Sequence, residues 1–116
     1  MQHSSTSMNK TKRRYKQLLS QYLKCDSEDI FLYWKGRVAL YAILKAMGVQ
    51  KGDEVIVQGY TCVVVANAIL YLGAKPVYVD IDSNTYNMNL RKLTEAITNN
   101  TKVVICQNTY GLSSNH

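Results

Sequence analysis

The chain has few of the residues that build metal and redox sites. Its three cysteines in 116 residues, Cys25, Cys62 and Cys106, are odd in number and lack C-x-x-C spacing. Neither a disulfide framework nor a zinc site is indicated, and a reducing cytoplasm is the default compartment. No apolar run is long enough to span a bilayer, and residues 1–7 hold no apolar core of a secretory signal, so no membrane partner is expected. G-x-G-x-x-G and G-x-x-x-x-G-K-[ST] are both absent, which removes a dinucleotide fingerprint and a P-loop. The two histidines, His3 and His116, sit at the extreme ends and belong to no site.

Acidic residues are missing from residues 1–24, which carry Lys10, Lys12, Arg13, Arg14, Lys16 and Lys24. The other eight basic residues and all eight acidic ones fall in 25–116, so the net charge of +6 belongs to the N-terminal arm. No aromatic platform or nucleic-acid motif accompanies those cations; a solvated tail is the reading, without a nucleic-acid partner. Residues 1–12 are polar, small and basic and read as a disordered basic arm. At 116 residues and 47% apolar content, the remainder, 13–116, is about one domain with enough material for a core.

What is present reads as strands alternating with helices. Tyr15, Leu18, Leu19, Tyr22 and Leu23 mark one face of a short amphipathic helix. Ile30 to Trp34 has the composition of a buried strand. Gly36 permits a sharp turn, and Ala39, Leu40, Ile43, Leu44 and Met47 then recur at helical spacing until Gly48 ends the helix. Glu54–Val57 is the next strand, broken by Gln58-Gly59-Tyr60-Thr61. The apolar run Cys62 to Leu72 reads as a buried helix that Thr61 can cap, with Asn67 a buried packing group. Pro76–Ile81 is a strand with its proline at the entrance. Asn89 caps a helix with Leu90, Leu93 and Ile97 facing inward, and Val103–Cys106 is a further strand. Strands that are apolar throughout, alternating with helices, predict an α/β domain with a mostly parallel sheet covered on both faces.

In such sheets ligands sit at the carboxyl ends of strands, near helix N-termini. Three segments would converge there: Lys35-Gly36-Arg37, Gly59-Tyr60-Thr61-Cys62 and Gln107-Asn108-Thr109-Tyr110. The turn at Gly36 and Arg37 leaves helix N-terminal N–H groups pointing at one spot, which suits an anion and above all a phosphate. Asp80 and Asp82 form a tempting carboxylate pair for acid–base work.

Taken in order, Gly36-Arg37-x-Ala39-Leu40, Gly52-Asp53-Glu54-Val55-Ile56-Val57, Thr61 with Ala66-Asn67-Ala68-Ile69, and Gly73-Ala74-Lys75-Pro76-Val77-Tyr78-Val79-Asp80-Ile81-Asp82 resemble the DegT/StrS family of pyridoxal-phosphate sugar aminotransferases. The resemblance runs from about Tyr15 to Gly111. It implies the N-terminal part of the large domain of a fold type I aminotransferase, three-layered, whose parent is a homodimer. That parent would transfer an amino group from glutamate or glutamine to a nucleotide-linked keto sugar in polysaccharide or lipopolysaccharide biosynthesis, with pyridoxal phosphate as cofactor. Relatives that dehydrate sugars, and a non-catalytic remnant or interaction module, are the alternatives. By resemblance, Gly36 and Arg37 hold the cofactor phosphate, with Lys35 adding charge. Cys62 stands where many members stack an aromatic ring on the cofactor, and Tyr60 is the nearby aromatic. The aspartate facing the ring nitrogen and the lysine that forms the internal aldimine lie beyond the matched region. The domain is therefore expected to be truncated at its C-terminal end, with no catalytic residue, no metal and no turnover of its own.

Overall fold

The computed structural model describes residues 2–114. Met1, Asn115 and His116, which the sequence reading placed in the arm and at the end of the domain, lie outside the described residues. The chain divides into two compact units, one ending at Tyr33 and the other starting at Trp34, a boundary some twenty residues later than the division after residue 12 that composition suggests.

The first unit is built on helix α1, Gln2–Leu23. Where the sequence suggests a disordered arm through residue 12, the helix continues back to Gln2. Lysine, arginine, glutamine and methionine are good helix formers, and neither glycine nor proline occurs before Gly36 to break the run. Helix α1 closes at Lys24, which takes a left-handed φ of 56° while the Cys25 N–H donates to the Ser20 carbonyl. A 3-10 turn over Ser27–Asp29 follows. Ile30 to Trp34, predicted as a strand, forms none: its backbone is extended at Ile30, but no strand among the described residues lies alongside it. Phe31 and Trp34 are left exposed.

The second unit is a parallel sheet with helices on both faces. Helix α2, Gly36–Ala46, ends at Gly48. There the φ of +82° lets the Gly48 N–H reach the Lys45 carbonyl and the Val49 N–H reach that of Leu44, while both Leu44 and Val49 are buried. Strand β1 is Glu54–Gln58. Helix α3, Val63–Tyr71, leads to β2, Lys75–Val79, and α4, Leu90–Ala96, leads to β3, Thr101–Val104. The strand order is β2-β1-β3, all parallel, with Ile56 opposite Val77 on one side and Val104 on the other. Proline 76 is tolerated because β2 is an edge strand.

The alternation of side chains along β1 divides the core in two. Val55 and Val57 face α2 and α3, packing with Leu44, Val65 and Ile69. Ile56 faces the other way, with Val79, Met88 and Leu93 of α4. The predicted three-layer α/β arrangement with a mostly parallel sheet is what the second unit shows. Two local expectations fail on helix faces. Asn67 is exposed, because α3 turns Val65, Ala66, Ala68 and Ile69 to the core. Leu90 and Ile97 are exposed as well, and only Leu93 of that set is buried, since α4 is too short to present a longer stripe. Asn89 does cap α4, its side chain accepting from the Lys92 N–H.

Truncating the fully buried Ile69 to alanine should cost about 2–5 kcal/mol of folding free energy, whereas Ile97→Ala, 53% exposed, should stay within about 0.5 kcal/mol. Denaturant melts of the two variants followed by circular dichroism check the contrast.

Candidate functional site

Parallel strands end together, so the loops that leave β1, β2 and β3 meet at one edge of the sheet. An open cleft of about 400 Å³ lies there, lined by Gly59, Tyr60, Thr61, Cys62, Gln107 and Thr109. Thr61 Oγ1 donates to Gln107 Oε1 at 2.6 Å, joining the β1 and β3 loops across it. Thr61 thus does not cap α3; Cys62 occupies the N-cap position without a side-chain cap, and its thiol is exposed. Asn108 turns away from the cleft, its carbonyl oxygen accepting from the backbone N–H and hydroxyl of Ser114.

Beside the cleft three tyrosines cluster. Tyr60 and Tyr86 rings are 5.5 Å apart, Tyr86 and Tyr110 5.3 Å, and the Tyr60 and Tyr110 hydroxyls share a 2.8 Å hydrogen bond. That bond pushes the Tyr110 phenol above its ordinary pKa; the charge of an ionised Tyr60, slight desolvation and Tyr86 act in the same direction.

Beneath them lies a residue the sequence reading treated only as a strand breaker. Gln58 is the last residue of β1 and fully buried. Its Nε2 donates to the Tyr60 carbonyl (2.9 Å), the Tyr86 carbonyl (3.3 Å) and Thr109 Oγ1 (2.7 Å). Its Oε1 is buried with no hydrogen-bond partner among the described residues. A polar side chain continuing a strand that is buried on both faces was the available signal, since a buried amide needs partners.

The predicted anion site lies at the start of α2. Arg37, Val38 and Tyr41 line a second groove, about 420 Å³, together with Val64, Asn67 and Tyr71 along α3. Helix α2 runs down into the start of β1 while α3 leaves the end of β1, so both helices start at the carboxyl end of the sheet. Because α3 starts just after β1, this is the same end of the sheet as the cleft. A Cβ on Gly36 would meet nothing within 4 Å, so no protein group crowds that position. The N–H groups of Gly36 and Arg37 precede the hydrogen-bonding ladder of the helix. Arg37 is exposed and makes no ion pair with a carboxylate among the described residues. Open donors and an unpaired cation fit a phosphate. Lys35 Nζ lies 4.4 Å from the centroid of the Trp34 ring, which holds its charge beside the turn. No lysine or carboxylate lines the 400 Å³ cleft.

The acids after β2 are structural. Asp82 Oδ1 accepts from the Asn84 N–H, and Asp80 pairs with Lys92 at 2.7 Å. A cleft of about 510 Å³ lies in the first unit along Lys12, Arg13 and Lys16, and none of its lining residues was predicted as a site residue.

Comparison with known proteins places these features. The model of the DegT/DnrJ/EryC1/StrS aminotransferase family matches residues 1–115. GDP-perosamine synthase of Escherichia coli O157:H7 is 45% identical over 76 residues, covering 66% of this chain and 21% of that protein. UDP-2-acetamido-2-deoxy-3-oxo-D-glucuronate aminotransferase of Pseudomonas aeruginosa is 50% identical over 76 residues, with the same two coverages. The crystal structure of NtdA from Bacillus subtilis, with its cofactor PMP bound, superposes at a TM-score of 0.77 and 32% identity, covering 90% of this chain and 23% of that one. The chain spans about a fifth of the length of the curated relatives it matches. The structural likeness bears out the fold type I aminotransferase expectation.

The Lys92 ammonium, by hydrogen bond and by charge, holds the Asp80 carboxyl below its ordinary pKa. The stabilisation from the pair is therefore present above the ordinary carboxylate pKa and disappears as pH falls through the lowered value. Lys92→Met should return Asp80 to the ordinary range in an NMR pH titration. Both groups are exposed, so the accompanying change in melting temperature should be slight and vanish in acid.

Proposed function

The chain belongs to the DegT/DnrJ/EryC1/StrS aminotransferase family, and from that premise we propose that it is the N-terminal portion of a pyridoxal-phosphate-dependent aminotransferase acting on nucleotide-linked keto sugars. The observation that carries the reading is the family match over residues 1–115, together with relatives named as GDP- and UDP-sugar enzymes. Glutamate or glutamine would be the amino donor, and the product an amino sugar for polysaccharide biosynthesis. Relatives include a spore coat polysaccharide biosynthesis protein, 48% identical over 67 residues. The parent would be a homodimer. Three free, exposed cysteines suit a reducing cytoplasm.

Within this chain the work is binding and orientation. The N–H groups of Gly36 and Arg37 would hold the cofactor phosphate, with the Arg37 guanidinium and the Lys35 ammonium adding positive charge. Tyr60 and Cys62 are the side chains that would face the ring. Cysteine at 62 offers a smaller and softer surface than an aromatic residue, so stacking there is weak. Pyridoxal phosphate, when bound, supplies an electron sink for the carbon that loses its proton. No histidine, lysine or carboxylate lines the cleft, so it would orient a ligand through Thr61, Gln107 and Thr109 while the proton is moved by a group outside this lining.

Gly36→Val should weaken binding of pyridoxal 5′-phosphate to this chain at least fivefold, because the branched side chain would enter the space left for the phosphate. Fluorescence titration measures it, and equal affinity in the two proteins would remove the cradle. Borohydride reduction of the wild-type mixture, followed by peptide mass mapping, should show only scattered lysine labelling. One lysine carrying a stoichiometric pyridoxyl group would contradict the division of labour described above.

A further inference from the structure

We propose that Gln58 is the positioning residue of the cleft, its buried amide holding the loops after β1, β2 and β3 in the one arrangement that brings Tyr60, Tyr86 and Tyr110 together. The inference rests on the aminotransferase reading only for what the cleft would bind; the clamp itself stands on geometry.

Three observations carry it. The Gln58 side chain is fully buried at the end of the central strand, and its Nε2 reaches one group in each of three loops: the Tyr60 carbonyl, the Tyr86 carbonyl and Thr109 Oγ1. Two amide hydrogens thus serve three acceptors, the farthest of them 51 residues from Gln58 in sequence. The second is strain. Tyr86 has a φ of 61°, a left-handed conformation that a bulky side chain adopts only when its surroundings impose it. The groups that hold its carbonyl are Gln58 Nε2 and Thr109 Oγ1, which donates to it at 3.3 Å. The third is the result: with the Tyr86 and Thr109 backbones fixed, the neighbouring Tyr110 hydroxyl lies 2.8 Å from that of Tyr60, and Tyr60 lines the cleft. Asn87, also buried, supports the same arrangement, bonding the Thr109 N–H and the Leu112 carbonyl. The cost of leaving Gln58 Oε1 unpartnered is a sign that the amide is kept for its donors.

The tyrosine cluster supplies its own reporter. The groups facing the Tyr110 hydroxyl are Tyr60 and Tyr86, and the hydrogen bond to Tyr60 is the chief reason its phenol titrates high. Selective labelling of the tyrosines at Cζ and NMR titration of this chain, without any ligand, should show Tyr110 titrating above the ordinary tyrosine value. In Gln58→Met, which keeps the volume and removes both donors, Tyr110 should fall back toward that value while the helix content by circular dichroism is unchanged. A folded Gln58→Met protein in which Tyr110 still titrates high would overturn the proposal, as would a wild type in which it never did. Should Gln58→Met fail to fold, Thr109→Val removes one acceptor and one donor at a half-buried position; a smaller fall in the same direction is expected, and none at all would be equally fatal. Pyridoxal 5′-phosphate is then added to the wild type and to Gln58→Met. The Thr61 and Cys62 amide signals should move in the first and at least fivefold less at equal ligand in the second; equal movement in both would overturn the link to binding. No movement in the wild type would remove the cofactor reading and leave the clamp to be judged by the ligand-free titration.

Discussion

The burial of one short strand governs everything else in the second unit. Val55, Ile56 and Val57 have no solvent exposure on either face of the sheet. Each contributes about 1.5–3 kcal/mol of gross apolar transfer free energy, which conformational entropy then largely offsets. That burial requires a parallel neighbour on each edge and a helical layer on each face, and the chain supplies them through α3 and α4 crossovers. Placing three parallel strands side by side also gathers their exits at one edge. The cleft is a consequence of how the core is made.

The same constraint creates a polar problem at that edge. Where the ladder stops, carbonyl and N–H groups of three loops are left partly enclosed and need partners. Two buried amides, Gln58 and Asn87, take most of that burden, and the left-handed Tyr86 is tolerated because its carbonyl is held twice. Stability and site geometry are therefore coupled through hydrogen bonds rather than through apolar packing, whose adjustments are spread over many contacts. A site framed in this way is defined in position yet costly to alter by single side-chain changes.

How much of this can be read from the chain depends on whether a signal is local. Continuous apolar runs gave β1 and β2, left-handed glycines marked the ends of α2 and α3, and Asn89 announced α4. The start of α2 at Gly36 was legible because a glycine turn and a helical repeat are written in adjacent residues. What needed the third dimension was missed. Ile30–Trp34 has strand composition but no neighbour among the described residues, and composition cannot report a missing partner. The helical state of residues 2–12 follows from an absence of breakers, a weaker cue than polarity. Gln58 looked like the end of a strand because its three partners lie in segments that sequence proximity does not connect. Tyr86 gave no warning, since a left-handed tyrosine is fixed by what surrounds it.

The charge layout sharpens the division between binding and chemistry. In the second unit basic and acidic residues are equal in number apart from three added basic ones, yet none lines the cleft, and Arg37 stands at the helix start without an acidic partner. On the proposed reading, the guanidinium beside open N–H groups would favour an anion, and the lack of lysine and carboxylate in the cleft would leave a ring or sugar there free of fixed charges. No histidine, lysine or carboxylate is among the residues that line the cleft. On the reading proposed above, this frame would seat and orient a phosphorylated ligand, and the group that moves a proton on it would come from residues outside this lining; the matched part covers about a fifth of the relatives' length.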